Sequence, residues 1–427
     1  MILFRLKMPE KEKNDREVQI RLKTELKVFG VEDSPFSVPY TIDPAGLNSL
    51  VKGLLTNFDY VPEFDWICFN DIVRGKLSEH LSDRDDISTE SIIVLEYVEK
   101  CEAPKPENAA NHDDWVSACR IEGDLVLTGC YDNTVNIWSI SGEKKLVIPG
   151  HTGPVKAVDW IERTETGGTF VSASHDQKLN IYTWNSETNS IENLNTCRGH
   201  ERSVECVAVS PNKKVFVSGS FDNTLKVWGA VPAVEDDREG STEAKKSRGS
   251  AGRAVTRTPL KTFGGHKEAV GGVAWMGNGE IVSVSWDHTI KIWELELGGL
   301  KTELVANKAL FSVSVGGERN ELLLVGGAER SVRLYDPRAG NDVKAAYTAH
   351  TGWITSVNWS PTSPIHFASS SHDSTLRVWD TRSCRTPLYD LQGHTDKILA
   401  SHWRPGHIVS GGADNQLKFY KMAADLK

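Results

Sequence analysis

The sequence predicts a mainly β chain in which a small α+β domain precedes seven copies of one repeated β element. Its 427 residues are enough for two or three domains. It contains 35 Gly and 13 Trp but only four Met, a composition typical of strands joined by tight turns. One short pattern also recurs through the second part of the chain, and such self-similarity is typical of repeat architectures.

The recurring pattern is a pair of small residues, one variable residue, an acid, two polar residues and an alternating strand that ends in Trp or Tyr. The alternation places apolar side chains on one face of each strand. The acids lie 44, 46, 65, 42, 44 and 41 residues apart, which defines seven repeats. These acids are Asp132, Asp176, Asp222, Asp287, Glu329, Asp373 and Asp414.

A histidine lies 20 to 25 residues before the acid in six of the repeats. These histidines are His112, His151, His200, His266, His350 and His394. A period near 44 with these marks resembles the WD-repeat β-propeller. The resemblance implies that each His and Asp joins a strand Ser or Thr and the terminal Trp in a buried hydrogen-bonded set. We therefore expect a structural role for these residues, with the weakest set in the fifth repeat, where Asn307-Lys308 stands in place of the histidine.

The predicted boundaries are a flexible extension at 1–16, a first domain at 17–100 and a propeller at 112–427. Residues 101–111 are either a linker or the strand that closes the propeller. Pro104 and Pro106 suit an edge strand poorly, so both alternatives stay open at this stage.

The first domain shows a different pattern of elements, whose order resembles a ubiquitin-like β-grasp domain. No Gly-Gly follows its last strand, so conjugation to a target is not expected. Its predicted helix is opened by Pro44 and has one apolar face, which is formed by Leu47, Leu50, Val51, Leu54 and Leu55. The predicted strands are 18–23, 36–42, 64–69, 71–75 and 91–99, with a helical turn at 77–81.

Read together, the two parts closely resemble the ribosome-biogenesis WD-repeat family of the PeBoW complex. Matching stretches include HDDWVSAC (112–119), SVSWDHTIKIW (283–293) and HTGWITSVNWSPT (350–362). The resemblance implies a non-enzymatic assembly factor for the large (60S) ribosomal subunit and pre-rRNA maturation, in the nucleolus and nucleoplasm. It also implies four partners: the block-of-proliferation protein, pescadillo, the midasin AAA ATPase and the pre-60S particle.

The resemblance also implies one metal contact. An acid in the loop DRDDISTES (83–91) is expected to bind, in trans, the magnesium ion of midasin. The matching residue is Glu90, and Asp85 and Asp86 are the nearby alternatives. A carboxylate oxygen is a suitable ligand for a hard cation with an open coordination position.

A polar insertion follows the third repeat at 229–260 and is predicted to be disordered. Its basic residues could serve nuclear import or touch rRNA phosphates weakly. A solvated loop with incidental charge is an equal alternative. These residues are Lys245, Lys246, Arg248 and Arg253.

The residue before the acid suggests a protein-binding face. In repeats one to four it is Tyr131, His175, Phe221 and Trp286. Aromatic residues exposed in succession are typical interface anchors. The alternative is that they pack sideways against neighbouring blades.

The composition and motifs exclude several functional classes. A net charge of -9 excludes a globally basic nucleic-acid binder. No enzyme motif is present, and neither a cofactor, a membrane nor a small-molecule substrate is implied. Two rivals remain: a Notchless-like assembly factor, and a cullin-ligase substrate receptor that uses Trp379-Asp380-Thr381-Arg382.

Overall fold

The computed structural model describes residues 17–56, 58, 60–82, 91–100, 102–230, 255–277 and 279–422. They divide into two compact units. The first comprises the described chain up to Glu102 together with Asp380–Leu388, and the second comprises Ala103–Trp379 and the chain from Tyr389 onward. Within the described part, neither helix is long and apolar enough to cross a bilayer.

The first unit contains one mixed sheet and two helices. Its elements are β1 (Glu17–Lys23), β2 (Pro35–Pro39), α1 (Pro44–Leu54), β3 (Phe64–Cys68), β4 (Asp71–Ile72), α2 (Leu77–Ser82) and β5 (Ile93–Glu99). The strand order is β2-β1-β5-β3-β4, with β1 and β5 parallel and the other pairs antiparallel. This arrangement is the predicted β-grasp.

Helix α1 packs its apolar side onto this sheet. Asp43 caps it by accepting a hydrogen bond from the amide of Gly46 at 2.8 Å, which satisfies one of the free amides of the first turn. Leu47 and Val51 are fully buried in the core of the unit. Leu54 is 41% exposed, so its predicted burial is wrong. The helix ends at Leu54, and the cap residue Leu55 fills the core instead.

The second unit is a ring of seven blades, six of them four-stranded and one, blade two, five-stranded. Blades one to three contain β7 (Val116–Glu122), β8 (Leu125–Cys130), β9 (Thr134–Ser139), β10 (Lys144–Pro149), β11 (Val155–Thr164), β12 (Gly167–Ser174), β13 (Lys178–Asn185), β14 (Ser190–Arg198), β15 (Val204–Val209), β16 (Val215–Ser220), β17 (Thr224–Gly229) and β19 (Lys261–Gly264). Blades four and five contain β20 (Val270–Trp275), β21 (Ile281–Ser285), β22 (Thr289–Glu294), β23 (Gly299–Val305), β24 (Leu310–Gly316), β25 (Leu322–Gly327), β26 (Val332–Tyr335) and β27 (Val343–Tyr347). Blades six and seven contain β28 (Ile354–Trp359), β29 (His366–Ser371), β30 (Leu376–Asp380), β31 (Tyr389–Leu391), β32 (Ile398–Arg404), β33 (His407–Gly412), β34 (Gln416–Lys421) and β6 (Lys105–Asn111).

The innermost strands contact one another in sequence from β7 through β11, β15, β20, β24, β28 and β32, and β32 contacts β7 again. The core lies between successive blades, because each sheet carries apolar side chains on both faces. Val135 and Ile137 of blade one, for example, share a buried cluster with Phe170 and Tyr182 of blade two. The predicted seven-blade propeller is confirmed.

The ring closes through β6, which is the outermost strand of blade seven. Leu417 of β34 lies opposite Ala110 of β6, and Tyr420 lies opposite Pro106. The register shifts between Phe419 and Tyr420, so the irregularity falls beside the proline that cannot donate a hydrogen bond. Of the two alternatives for 101–111, the closing strand is therefore the observed one.

The insertion after blade three is shorter than the predicted 229–260. Gly229 ends β17, and the amide of Ala230 donates to the carbonyl of Lys214 at 2.8 Å. At the other end, β18 (Val255–Arg257) pairs in parallel with β14 as a fifth strand of blade two. The predicted disorder at both ends of this segment is wrong, because backbone pairing with blades two and three orders them.

The closing strand supplies a stability test with an adjacent control. Ala110 is 5% exposed and packs with Leu417 and Phe419, whereas Ala109 is exposed. Ala110→Asp buries an unpaired charge and is expected to lower the free energy of unfolding by roughly 3 kcal/mol or more. Thermal unfolding measures the change. Ala109→Asp is expected to unfold like the wild type, and equal midpoints for both variants would contradict the closing role of β6.

Candidate functional site

The repeated histidines and aspartates form hydrogen-bonded networks inside individual blades. In blade four, Nε2 of His266 lies 2.7 Å from Oγ of Ser283, and Nδ1 lies 3.0 Å from Oδ2 of Asp287. The indole of Trp293 donates to the same Oγ at 2.8 Å. Because an indole only donates, the Ser283 hydroxyl is left to donate to Nε2, and Nδ1–H is left to donate to Asp287.

The contact between histidine and aspartate recurs in blades two, three, six and seven, and the indole bond to the serine recurs in blades three and six. The Nδ1 to carboxylate distances are 3.1 Å for His151 and Asp176, 2.7 Å for His200 and Asp222, 2.8 Å for His350 and Asp373, and 2.9 Å for His394 and Asp414. All five rings are buried. These side chains therefore connect the loop before each innermost strand to the turn between the next two strands.

Blade one keeps only part of this network. Nε2 of His112 lies 2.8 Å from Oγ1 of Thr128, and Trp138 donates to Nε2 at 3.1 Å. Among the described hydrogen bonds, none joins this ring to Asp132, whose Oδ1 instead accepts from the amide and hydroxyl of Thr134. Burial lowers the pKa of His112 to about 4.

Blade five lacks the network at every position. Lys308, Val325, Glu329 and Tyr335 occupy the positions of the histidine, serine, aspartate and tryptophan. Glu329 instead forms an ion pair with Arg333, with Nε 2.5 Å from Oε2. Lys308 is exposed, so no side chain fills the buried histidine position.

The networks shift the pKa of their acidic members. Burial alone would raise the pKa of Asp176 and of Asp287, but hydrogen bonds from His151 to Asp176, and from Thr289 and His266 to Asp287, lower each to about 2. Burial also lowers the pKa of His266, although Asp287 opposes it. The folded chain therefore favours the neutral form of His266 and the charged forms of Asp176 and Asp287.

The four residues predicted as a binding face separate into different environments. Tyr131 pairs with Trp115 at a ring-centroid distance of 5.4 Å, and its hydroxyl accepts a hydrogen bond from Lys156 at 2.9 Å. His175 is exposed. Phe221 contacts Trp286 at 4.9 Å. Only this last pair belongs to a larger aromatic surface.

That surface is an unbroken row of rings across blades three to six, which we call the aromatic arc. Its contacts are Phe221 to Trp286 at 4.9 Å, Trp286 to Phe311 at 5.9 Å, Phe311 to Trp353 at 5.8 Å and Trp353 to His372 at 5.6 Å. Trp286 is 38% exposed and Trp353 is 51% exposed. Four of its five residues, all except Phe221, also line the axial cavity of about 1130 Å³.

Two glycines shape the middle of the arc. A Cβ on Gly271 would lie 2.7 Å from the carbonyl oxygen of Leu310, and one on Gly272 would lie 3.0 Å from that of Phe311. The backbones of β20 and β24 therefore approach closely, because side chains are absent there. The arc thus crosses from blade four to blade five over a stretch of bare backbone.

His372 ends the arc as a neutral ring. Burial lowers its pKa, and Lys397 lowers it further. Its plane is inclined by 30° to that of Trp353, an offset arrangement that aromatic pairs favour. The arc is therefore an uncharged surface at neutral pH.

Sequence reasoning missed Phe311, Trp353 and His372. Phe311 lies in β24 and Trp353 lies just before β28, so neither directly precedes a turn acid. The tryptophan in HTGWITS was a usable signal, because the matching loop of blade four has Ala269. His372 does directly precede a turn acid, but the fifth repeat has Ala328 at that position, which interrupts the series of aromatic residues before the sixth repeat.

Several predicted residues lie outside the described part of the chain. They are the metal-binding candidates Glu90, Asp85 and Asp86, and the basic residues Lys245, Lys246, Arg248 and Arg253. The structure therefore neither places them nor brings them together.

The W-D-x-R element is used internally. Trp379 is fully buried and donates its indole hydrogen to Ser369 at 2.8 Å. Asp380 is 1% exposed. In the first unit, Arg382 donates to Asp380 at 2.6 Å and to Glu96 at 2.8 Å. An adaptor docking on this element would have to compete with these contacts.

Two family descriptions match the chain. "WD domain, G-beta repeat" matches residues 108–139, 142–183, 191–229, 257–294, 341–380 and 385–421, and "NLE (NUC135) domain" matches residues 18–81. The first set contains six blades and leaves out 295–340, which holds most of blade five. The second falls within the β-grasp unit.

Similar full-length proteins share both units. A "Ribosome biogenesis protein WDR12 homolog" from Ixodes scapularis is 43% identical over 420 residues, covering 95% of this chain and 98% of that protein. Proteins of the same description from Drosophila mojavensis and Drosophila yakuba are 42% and 43% identical, covering 96% of this chain and 97% and 96% of theirs. The similarity therefore extends from one end of these proteins to the other.

The pKa shifts predict an acid-sensitive fold. Unfolded histidine binds a proton near pH 6.5, whereas folded His112 does so only near its pKa of about 4. The free energy of unfolding therefore decreases by up to roughly 3 kcal/mol as the pH is lowered from 6.5 to 4. The aspartates with a pKa of about 2 add stability that is full above about pH 4 and is lost as the pH falls further.

Urea unfolding at pH 7, 6 and 5 measures this loss. The variant His112→Gln is expected to give a shallower pH dependence than the wild type, because it removes one titrating group. An unchanged slope would mean that His112 titrates normally in the folded chain.

Proposed function

The chain belongs to the WDR12 family of ribosome biogenesis proteins, and we propose that it is a non-enzymatic scaffold in assembly of the large (60S) ribosomal subunit and pre-rRNA maturation. The observation that carries this proposal is the 43% identity over 98% of a relative with that description. A match of this extent includes both the β-grasp unit and the propeller, so the domain combination is shared as well as the repeats.

The non-enzymatic part of the proposal is supported by how the repeats use their polar residues. The histidines and aspartates that could supply acid–base chemistry are committed to separate networks within blades two, three, four, six and seven. In blade four, the lowered pKa values of His266 and Asp287 favour the neutral imidazole and the charged carboxylate. A scaffold of this family is expected in the nucleolus and nucleoplasm.

We propose that the propeller docks onto the block-of-proliferation protein through the aromatic arc, with pescadillo completing the complex. Two exposed tryptophans near the centre of an uncharged patch are the residue type that dominates the energy of protein interfaces. The face therefore lies on blades three to six rather than on the blades one to four that the sequence suggested. Any contact with rRNA is expected to be weak or indirect.

The β-grasp unit is proposed as the binding site for midasin, with Glu90 as the ligand of its magnesium ion. This part is supported by the family resemblance and by the chemistry of a carboxylate with a hard cation. Release of the protein from the pre-60S particle by this ATPase would follow.

The two rival functions have less support. A Notchless-like factor would be expected to have eight repeats, whereas the described chain has seven blades and its relatives carry the WDR12 description. For a cullin-ligase receptor, the contacts of Arg382 with Asp380 and Glu96 make the W-D-x-R element a poor free docking site.

The docking proposal is tested by purifying the tagged full-length chain from nuclear extract, with and without ribonuclease, and identifying the bound proteins by mass spectrometry. The wild type should recover pescadillo, the block-of-proliferation protein and large-subunit proteins, with the first two resisting nuclease. Trp353→Ala should reduce recovery of the block-of-proliferation protein about tenfold or more, the loss expected for an interface hot spot.

His175→Ala is the matched control, because His175 occupies the repeated turn of blade two but lies outside the arc. It should bind like the wild type. Wild-type-like binding by Trp353→Ala would sink the arc assignment, and recovery of a cullin adaptor without ribosomal material would overturn the proposed function.

The midasin contact is tested with Glu90→Ala in the full-length chain. We expect loss of Mg²⁺-dependent midasin binding in a pull-down, with unchanged thermal unfolding and unchanged incorporation into particles. Asp86→Ala is the control and should retain binding. If Glu90→Ala still binds midasin in a Mg²⁺-dependent manner, the assignment of Glu90 is wrong.

A further inference from the structure

Blade five is held together differently from its neighbours. In blades four and six, a buried histidine links the loop before the innermost strand to an acid 21 and 23 residues later. In blade five the only described replacement is the pair of Glu329 and Arg333, which are four residues apart on the same hairpin. This ion pair does not reach the loop at Asn307 and Lys308, so the backbone hydrogen bond from the amide of Ala328 to the carbonyl of Ala309, at 2.8 Å, joins loop to turn without the side-chain link of the neighbouring blades.

The interior of blade five is also less complete. A cavity of about 10 Å³ is lined by residues at the network positions, including Lys308, Val325, Glu329 and Arg333. The hydroxyl of Tyr335, at the position of the tryptophan, is buried without a hydrogen-bond partner among the described residues, as is that of Tyr420 in blade seven, where the histidine network is present. Unmade hydrogen bonds of this kind weaken a packed element.

The junction between blades four and five lacks a second kind of link. Elsewhere around the ring, side chains of the innermost strands bond to the next blade. Three of these side chains accept from a backbone amide: Asp159 from Val209 at 2.8 Å, Ser314 from Trp359 at 3.1 Å and His402 from Ile121 at 3.1 Å. Two others donate to a backbone carbonyl: Trp275 to Ala208 at 2.9 Å and Thr355 to Ile398 at 2.8 Å. Between β20 and β24, the described residues show no side-chain hydrogen bond, and Gly271 and Gly272 occupy the contact instead.

The aromatic arc crosses this junction. Trp286 belongs to blade four, Phe311 to blade five and Trp353 to blade six, and their rings are in contact. A partner seated on the arc would therefore touch blade five and both blades beside it. Anything that binds only the closed form stabilises that form.

We infer that blade five is the opening element of the propeller, which unfolds locally ahead of the other blades and is held closed by a partner bound on the aromatic arc. The first half, local unfolding of blade five, rests on the absence of the histidine network in that blade and of a side-chain hydrogen bond between β20 and β24 among the described residues. The second half rests on the proposed docking function. Binding and ring integrity are then coupled, so loss of the partner loosens blade five and opening of blade five releases the partner.

The first half is tested by amide hydrogen exchange, read by mass spectrometry, on the free full-length protein at pH 7. Peptides from β24, β25 and β26 should exchange about tenfold faster or more than those from β28, β29 and β30, a difference of about 1.4 kcal/mol in opening free energy. Exchange of the two blades at one common rate would overturn the inference.

A pair of reciprocal variants assigns the cause. His350→Lys gives blade six the residue found at the same position in blade five, and it should raise exchange in β28, β29 and β30 toward the rate of blade five. The combined variant Lys308→His, Val325→Ser, Glu329→Asp and Tyr335→Trp should slow exchange in blade five. If the combined variant does not fold, His350→Lys still decides, because unchanged exchange in blade six would overturn the role of the network.

The second half is tested by repeating the exchange with purified block-of-proliferation protein. Size-exclusion chromatography reports whether a complex forms, so failure of the proposed docking is seen separately. When the complex forms, blade-five peptides should slow by about tenfold or more while those of blade two change little. A complex in which blade five exchanges as fast as in the free chain would overturn the coupling.

Discussion

The buried histidine before the innermost strand is the contact on which blades two, three, four, six and seven most depend. One neutral imidazole joins a loop, a strand hydroxyl and the acid of a turn, and the tryptophan donates to the same hydroxyl, as in His266 with Ser283 and Asp287. Both ring nitrogens are used, so no buried polar atom of the ring is left unmet, a defect that would cost about 1–3 kcal/mol. Four segments of a blade are thereby fixed together.

Blades one and five lack all or part of this contact. Blade one keeps the bonds of His112 to Thr128 and Trp138 without the aspartate, and blade five keeps none. A propeller tolerates such a blade because both of its faces are packed against neighbours, as Leu323 and Val325 are within a cluster that also contains Val282. Packing preserves the fold of blade five, but it leaves that blade without the polar links that define one arrangement of its loop.

The aromatic arc arises from residues outside the repeated pattern. Trp286 and His372 precede the turn acids, Phe311 lies on an innermost strand and Trp353 lies in a loop. They meet because the blades are arranged around one axis, and because Gly271 and Gly272 let the strands of blades four and five approach. A surface of this kind distinguishes one propeller from another, whereas the networks are common to the fold.

The seven blades, the β-grasp unit and the structural role of most of the repeat histidines and aspartates could be predicted from the sequence alone. These depend on local signals, namely strand alternation, turn acids and fixed spacing, that recur in every repeat. The structure was needed to show that Lys105–Asn111 closes the ring, that Tyr131 and His175 lie outside the arc, and that Arg382 pairs with Glu96. Both pairings join residues far apart in the chain, and no local signal in the sequence fixes contacts of that kind.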